Sequence, residues 1–179
     1  GTAIGGVLVG RNIEFMKTKA TKWHRLLGGN TNPFDAFLLI NGIKTLELRM
    51  QRHCSNAISV AEFLQKHNFI SHVNYNGLST HPDYAIAKKQ MLHAGAMLSF
   101  EMKGGLNAGK NFIDKLQMCT RAVSLGTADT LVSHPASMSH YGVSRDERLK
   151  FGITDGLIRM SVGLENIEDI LSDFENALQ

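Results

Sequence analysis

Apolar residues recur along this chain at two different spacings, and the change from one to the other divides it. Over Phe34, Phe37, Leu38, Leu39, Ile43, Leu46 and Met50, then Cys54, Ala57, Ile58, Ala61, Phe63 and Leu64, the spacing is three and four residues, the period of a helix face. Asn32, Pro33 and Asp35 mark its start: an N-cap, a proline at the first helical position where a missing N–H costs nothing, and an acid in the positive first turn. The pattern runs to His67 and predicts a long helix over residues 32–67, about 50 Å of rod. Without a sustained heptad, and broken internally only by Gly42, such a rod suits the joining of two domains better than the inside of one small core.

Further on, the period becomes two. Ala96, Leu98, Phe100 and Met102 alternate with Met97, Ser99, Glu101 and Lys103 up to the turn Gly104–Gly105, which predicts a strand with one buried face. Further strands are expected over Ile4–Val9, Ile70–Asn76, Arg121–Leu125 and Leu157–Val162. Helices are expected over Tyr84–Met91 and Ala108–Met118. A third follows from Ser144 to Lys150, where Ser144 and Glu147 form a capping box and Gly152 a stop, and a fourth closes the chain over Ile167–Leu178. Strands alternating with helices describe an α/β or α+β unit, one sheet covered by helices.

Composition narrows this further. With 179 residues, 43% of them hydrophobic and only two cysteines, the chain is long enough for one domain or one and part of another, and is neither a disordered polymer nor a disulfide scaffold. Lys and Arg outnumber Asp and Glu by 19 to 16, spread along the chain, so no basic stripe for a nucleic acid forms. No apolar run approaches the roughly 20 residues of a membrane span, and residues 1–25 lack the order of a secretory signal. A cytoplasmic protein is expected. The start at Gly1, directly before a strand-like segment, reads as a processed or truncated chain.

Few residues stand out as chemistry. Lys22, beside Trp23, has the composition of a Schiff-base lysine, but Lys17 and Lys19 nearby suggest a wet surface that keeps its amine protonated. His134 to His140 is a polar, turn-rich stretch between strands; no acid or cysteine completes a metal site there, and a loop that orients a neighbour fits better. Cys54 falls on the apolar spacing of the long helix and reads as a core residue. Arg159 is the single charge in Leu157–Gly163. Its guanidinium either points out of the sheet into water or clamps a carboxylate. Ser124, before Leu125 and Gly126, either offers a hydroxyl to an oxyanion or merely turns the chain.

Taken together, several blocks resemble the C-terminal part of the PLP-dependent trans-sulfuration enzymes, the Cys/Met metabolism family. They are Ile4–Val7; Asn32–Ala36 with Gly42–Leu46 and Leu48–His53; His81, Pro82 and Ala87–Met91; Met97–Glu101 with Gly104 and Gly105; Ala122–Gly126; His134–His140; and Asp155–Glu165, in that order along nearly the whole chain. The resemblance implies fold type I, the aminotransferase-like α/β class: residues 1–31 as the end of a large PLP-binding domain, 32–67 as a long connecting helix and 68–179 as a small α/β domain. It implies that Arg159 binds the substrate α-carboxylate, that Ser124 is a second contact to it, and that Ser139, where threonine is usual, supports the arginine. The cofactor is pyridoxal 5′-phosphate. Its Schiff-base lysine is expected before Gly1, because Lys22 follows the Ile4–Val7 block where the family's lysine precedes it. The partners implied are the missing cofactor-binding half and further copies in a homotetramer. Val123 stands where members that handle cystathionine carry glutamate, and an apolar residue suits a thioether tail. The implied reaction is γ-elimination of L-methionine to methanethiol, 2-oxobutyrate and ammonia. γ-Elimination of cystathionine, a cystathionine or O-acetylhomoserine γ-synthase reaction by γ-replacement, and an inactive oligomerisation or binding fragment remain the alternatives.

Overall fold

The computed structural model describes residues 2–179 and divides the chain into two compact units, one up to Glu47 and one over Leu48–Gln179. In the first, the segment expected as a strand over Ile4–Val9 forms no regular element, and Ile4 is 91% exposed. Its apolar residues suit a strand, but a strand exists only by pairing, and it forms no ladder with a described strand. Helix α1 (Ile13–Phe15) follows, opened by Asn12, whose Oδ1 accepts the Phe15 N–H at 2.9 Å. It passes through a π-helical stretch, Met16–Ala20, into α2 (Thr21–Leu27), which ends at Gly28 with φ of +68°. None of these helical residues is buried, although Ile13, Met16, Ala20, Trp23 and Leu27 recur at the spacing of a helix face.

Helix α3 (Pro33–Ile43) begins as its capping residues require, with the Asp35 N–H donating to Asn32 Oδ1 at 2.9 Å. It does not continue to His67. Lys44 and Thr45 form a turn, and α4 (Leu46–Lys66) starts after it, so the single rod expected over 32–67 is two helices. Gly42 weakens the helix just before the turn, and Thr45 and Glu47 supply a hydroxyl and an acid where a new helix start favours them.

The second unit is built on a five-stranded sheet ordered β1-β2-β5-β4-β3. Strand β1 (Ile70–Asn74) is an edge, followed by helix α5 (Tyr84–Gln90) and β2 (Met97–Met102). Helix α6 (Gly105–Lys115) begins three residues earlier than its apolar pattern suggests, because Gly104 and Gly105 both take positive φ and turn the chain straight off β2. Strand β3 (Thr120–Arg121) is only two residues long, so Val123 and Ser124 lie in a loop and not in the strand expected over Arg121–Leu125. Then come β4 (Leu131–Ser133), a 3₁₀ turn at Pro135–Ser137, α7 (Arg145–Lys150), β5 (Leu157–Ser161) and α8 (Ile167–Ala177). Neighbouring strands are antiparallel except the parallel pair β3–β4.

One face of this sheet is apolar. Leu98 and Phe100 lie opposite Met160 and Ile158, and Val132 opposite Met160. Phe112 on α6 and Phe174 on α8 join Phe100 there in two edge-to-face contacts and one tilted contact at 5.3–6.3 Å, the geometry ring quadrupoles favour. Ala57, Val60, Ala61 and Leu64 of α4 belong to the same core, as the spacing of that helix predicts, and Cys54 is buried beside them. Asp173 is buried on α8, and its carboxylate accepts the N–H groups of Gln117, Met118 and Cys119 at 2.8–3.2 Å, which turns the chain from α6 into β3. Burial, reinforced by that carboxylate, keeps the Cys119 thiol protonated well above its ordinary range.

Candidate functional site

The opposite face of the sheet is polar where it matters. Because side chains alternate along each strand, the register puts Ser99 of β2 and Ser133 of β4 on either side of Arg159 of β5, with Asn74 of β1 beyond Ser99. Four polar residues therefore form one row across four strands. Ser133 is buried and its hydroxyl lies 3.5 Å from the Arg159 carbonyl; Asn74 Nδ2 lies the same distance from Ser99 Oγ.

Arg159 is half-buried, and its Nη1 donates to the carbonyls of Val123 and Ser124 at 3.2 and 3.3 Å. Of the two readings the sequence allowed, the guanidinium does not simply extend into water. It is tethered to the loop between β3 and β4, with no protein acceptor on Nε or Nη2 among the described residues. A planar guanidinium held by one nitrogen keeps its orientation while its other N–H groups can meet a carboxylate in two parallel bonds. The structure thus brings Arg159, Val123 and Ser124 together. It does not bring Ser139 to them: the Ser139 hydroxyl is exposed and paired with His140 Nδ1 at 2.9 Å.

Among the described residues no three His, Cys, Asp or Glu side chains gather as metal ligands, and the two ends of His134–His140 have other partners. His134 is wholly buried between the Ser137 hydroxyl, 2.8 Å from Nδ1, and the Asp155 carbonyl, 2.7 Å from Nε2. A carbonyl only accepts, so Nε2 carries the proton and Nδ1 accepts from Ser137. His134 thereby staples the end of β4 to the turn that leads into β5. The same turn is held by Asp155, which pairs with Arg145 at 2.7 Å and Arg148 at 2.8 Å; Arg145 first, then Arg148, hold its carboxyl below the usual carboxylate range.

The far end of β5 is gripped from α4. His53 Nδ1 donates to the Val162 carbonyl at 2.6 Å, Asn56 Nδ2 to Gly163 and Glu165 at 3.1 and 2.9 Å, and Arg52 to Glu165 at 3.1 Å. The strand carrying Arg159 is fixed at both ends, which a residue meant to orient a ligand requires. The supports from His134, Arg52, His53 and Asn56 were not legible beforehand, because each joins β5 or its flanking turns to residues more than 20 away in sequence.

Comparison with known proteins gives this geometry a context. The family model of the Cys/Met metabolism PLP-dependent enzymes matches residues 1–179. The L-methionine γ-lyase of Fusobacterium nucleatum subsp. nucleatum is 48% identical over 179 residues, all of this chain and 45% of that protein. The L-methionine γ-lyase of Porphyromonas gingivalis is 47% identical over 99% of this chain and 45% of its own length. The cystathionine γ-synthase of Xanthomonas oryzae pv. oryzae, solved in complex with cystathionine, superimposes with a TM-score of 0.87 at 42% identity, covering 95% of this chain and 44% of that one. This chain therefore spans less than half the length of the relatives it matches. A lysine that bonds a cofactor aldehyde must be free of its proton, which burial brings about, yet every lysine here, Lys22 included, is exposed. Among the described residues, then, no lysine has the burial that holding the cofactor would require. By the match over its entire length, this chain belongs to the family of Cys/Met metabolism PLP-dependent enzymes.

Proposed function

We propose that this chain supplies the substrate-carboxylate side of an active site for the γ-elimination of L-methionine to methanethiol, 2-oxobutyrate and ammonia. The observation that carries this reading is Arg159, pinned by Nη1 to the Val123 and Ser124 carbonyls at the centre of a polar row. The guanidinium binds the α-carboxylate, the Ser124 hydroxyl adds a second contact, and Val123, which is exposed, presents an apolar wall to the thioether tail. Ser139 acts at most through the backbone of its loop, since its hydroxyl is engaged by His140.

In this reading residues 1–31 end the cofactor domain, 32–67 connect, and 68–179 form the small domain. The Schiff-base lysine comes from a cofactor-binding half outside this chain, in a cytoplasmic homotetramer. The chain alone is then inactive, and mixing it with pyridoxal phosphate gives no protein-bound cofactor absorbance until that half is supplied. The exposed apolar residues of the first unit, Phe34, Phe37, Ile40 and Ile43 among them, are the surface such a half would cover.

The test is Arg159→Lys in the complete enzyme. A lysine keeps the charge and loses the fork, so KM for L-methionine is expected to rise between about 10- and 100-fold, with kcat less affected. An unchanged KM overturns the assignment. The likeness to a cystathionine γ-synthase supports a second reading, with cystathionine as the sulfur amino acid. Val123→Glu separates the two: a ratio of methionine to cystathionine turnover that does not move removes Val123 as the selector.

A further inference from the structure

Ser161 lies two residues beyond Arg159 on the same face of β5, between Met97 and Leu131, and is 2% exposed. A hydroxyl buried there has to be satisfied. It accepts the backbone N–H of Gly126 at 3.0 Å. Gly126 ends the segment that begins with Val123 and Ser124, and its φ of +77° is a left-handed turn that fixes the direction in which the segment leaves. The Ala122 N–H, just before the segment, donates to the Val132 carbonyl at 3.1 Å. The loop is thus tied to β4 at its start, to the Arg159 guanidinium in its middle and to Ser161 at its end.

Two residues of a single strand, i and i+2, therefore hold one loop at two points. We infer that Ser161 is a positioning residue that sets where Ser124 stands against Arg159. The strand that carries the arginine thereby also places the second carboxylate contact. The inference rests on the carboxylate reading above and adds to it a residue that touches no substrate. Without the Ser161 hydroxyl, the Gly126 N–H loses its partner, and beyond its start at Ala122 the loop is left to Arg159, whose own orientation depends on the loop.

Two measurements test this separately from the parent reading. In the 179-residue chain, Ser161→Ala is expected to speed amide hydrogen exchange at Gly126 about tenfold while leaving Phe100 and Ile158 in the sheet unchanged, and Ser161→Thr, which keeps the hydroxyl, to restore it. Unchanged exchange at Gly126 overturns the inference. In the complete enzyme, Ser161→Ala is expected to raise KM for the amino-acid substrate about tenfold with kcat within about threefold. If Arg159→Lys raises KM and Ser161→Ala does not, the role of Ser161 is refuted and the carboxylate reading stands. If exchange at Gly126 quickens but neither variant moves KM, the carboxylate reading itself falls, and with it any substrate role for Ser161.

Discussion

The two units of this chain use similar apolar residues to opposite ends. In the second, Phe100, Phe112 and Phe174 are each at most 1% exposed and pack together, Phe112 meeting the other two edge to face. In the first, Phe34 is 68% and Phe37 59% exposed, on a helix that is apolar on most sides. A helix apolar all round is ordinarily buried. Sequence pattern therefore records what a segment is built to touch, whereas the structure of this chain records what it touches here. The second unit satisfies its own pattern; the first leaves its apolar pattern exposed.

The sharpest way to break that contrast is to remove a ring from each. Phe174→Ala leaves a cavity at the centre of a closed core and is expected to cost about 3–5 kcal/mol, read from the denaturant midpoint. Phe37→Ala in the same chain is expected to change stability by less than about 0.5 kcal/mol. Equal costs would mean that α3 is already covered, and the contrast between the units would disappear.

Glycines sharpen the comparison at a smaller scale. A Cβ on Gly109 of α6 would stand 2.5 Å from His134 Nε2. That nitrogen is buried and donates to Asp155, so the ring must move and break the staple between β4 and β5. Gly109→Ala is expected to destabilise by about 2 kcal/mol, the cost of leaving buried polar groups unpaired, and near-ultraviolet or NMR signals of the His134 loop should shift with it. A Cβ on Gly42 meets nothing within 4 Å, so Gly42→Ala in α3 is expected to stabilise by about 0.5–1 kcal/mol through helix propensity alone. A stabilising Gly109→Ala would mean the close approach is not a constraint.

The same distinction explains what was legible in the sequence. Strands β2 and β5 could be read because each is five or six residues long, alternates in burial over most of its length and is bounded by turn residues. Strand β4 could not: it is three residues, all buried, with no period to detect. Ile4–Val9 reads as a strand on propensity but pairs with no described strand, and the helical spacing of Ile13, Met16, Ala20, Trp23 and Leu27 was a signal for α1 and α2 that went unread. At the site, Arg159 stood out as one charge on an apolar strand. Its neighbour Ser124 could be read as either an oxyanion contact or a turn; Val123 came only through the resemblance to a family, and Ser139 came the same way but has a different partner. Ser133 and Ser161 gave no signal, because a serine becomes informative only when the register shows which face it occupies and what it meets.

The smallest effect concerns the turn before β5 and depends on pH. Arg145 and Arg148 hold the Asp155 carboxyl below its ordinary range. A carboxyl depressed by folding contributes stability that is fully present above its unfolded pKa, about 3.9, and is lost as pH falls through the lower folded value. The stability difference between this chain and Asp155→Asn should therefore be constant near neutrality and shrink as the solution is acidified below that range; a difference independent of pH would show that the pairs contribute nothing through charge. The two arginines should not share the effect equally. Arg145 makes the shorter bond, but its side chain is 63% exposed and water and salt screen it. Arg148 is 8% exposed and also donates to the Ile153 carbonyl, so removing it strands both a carboxylate oxygen and a backbone acceptor. Arg148→Ala should reproduce most of the effect of Asp155→Asn, and Arg145→Ala little of it, with only the latter abolished by raised salt.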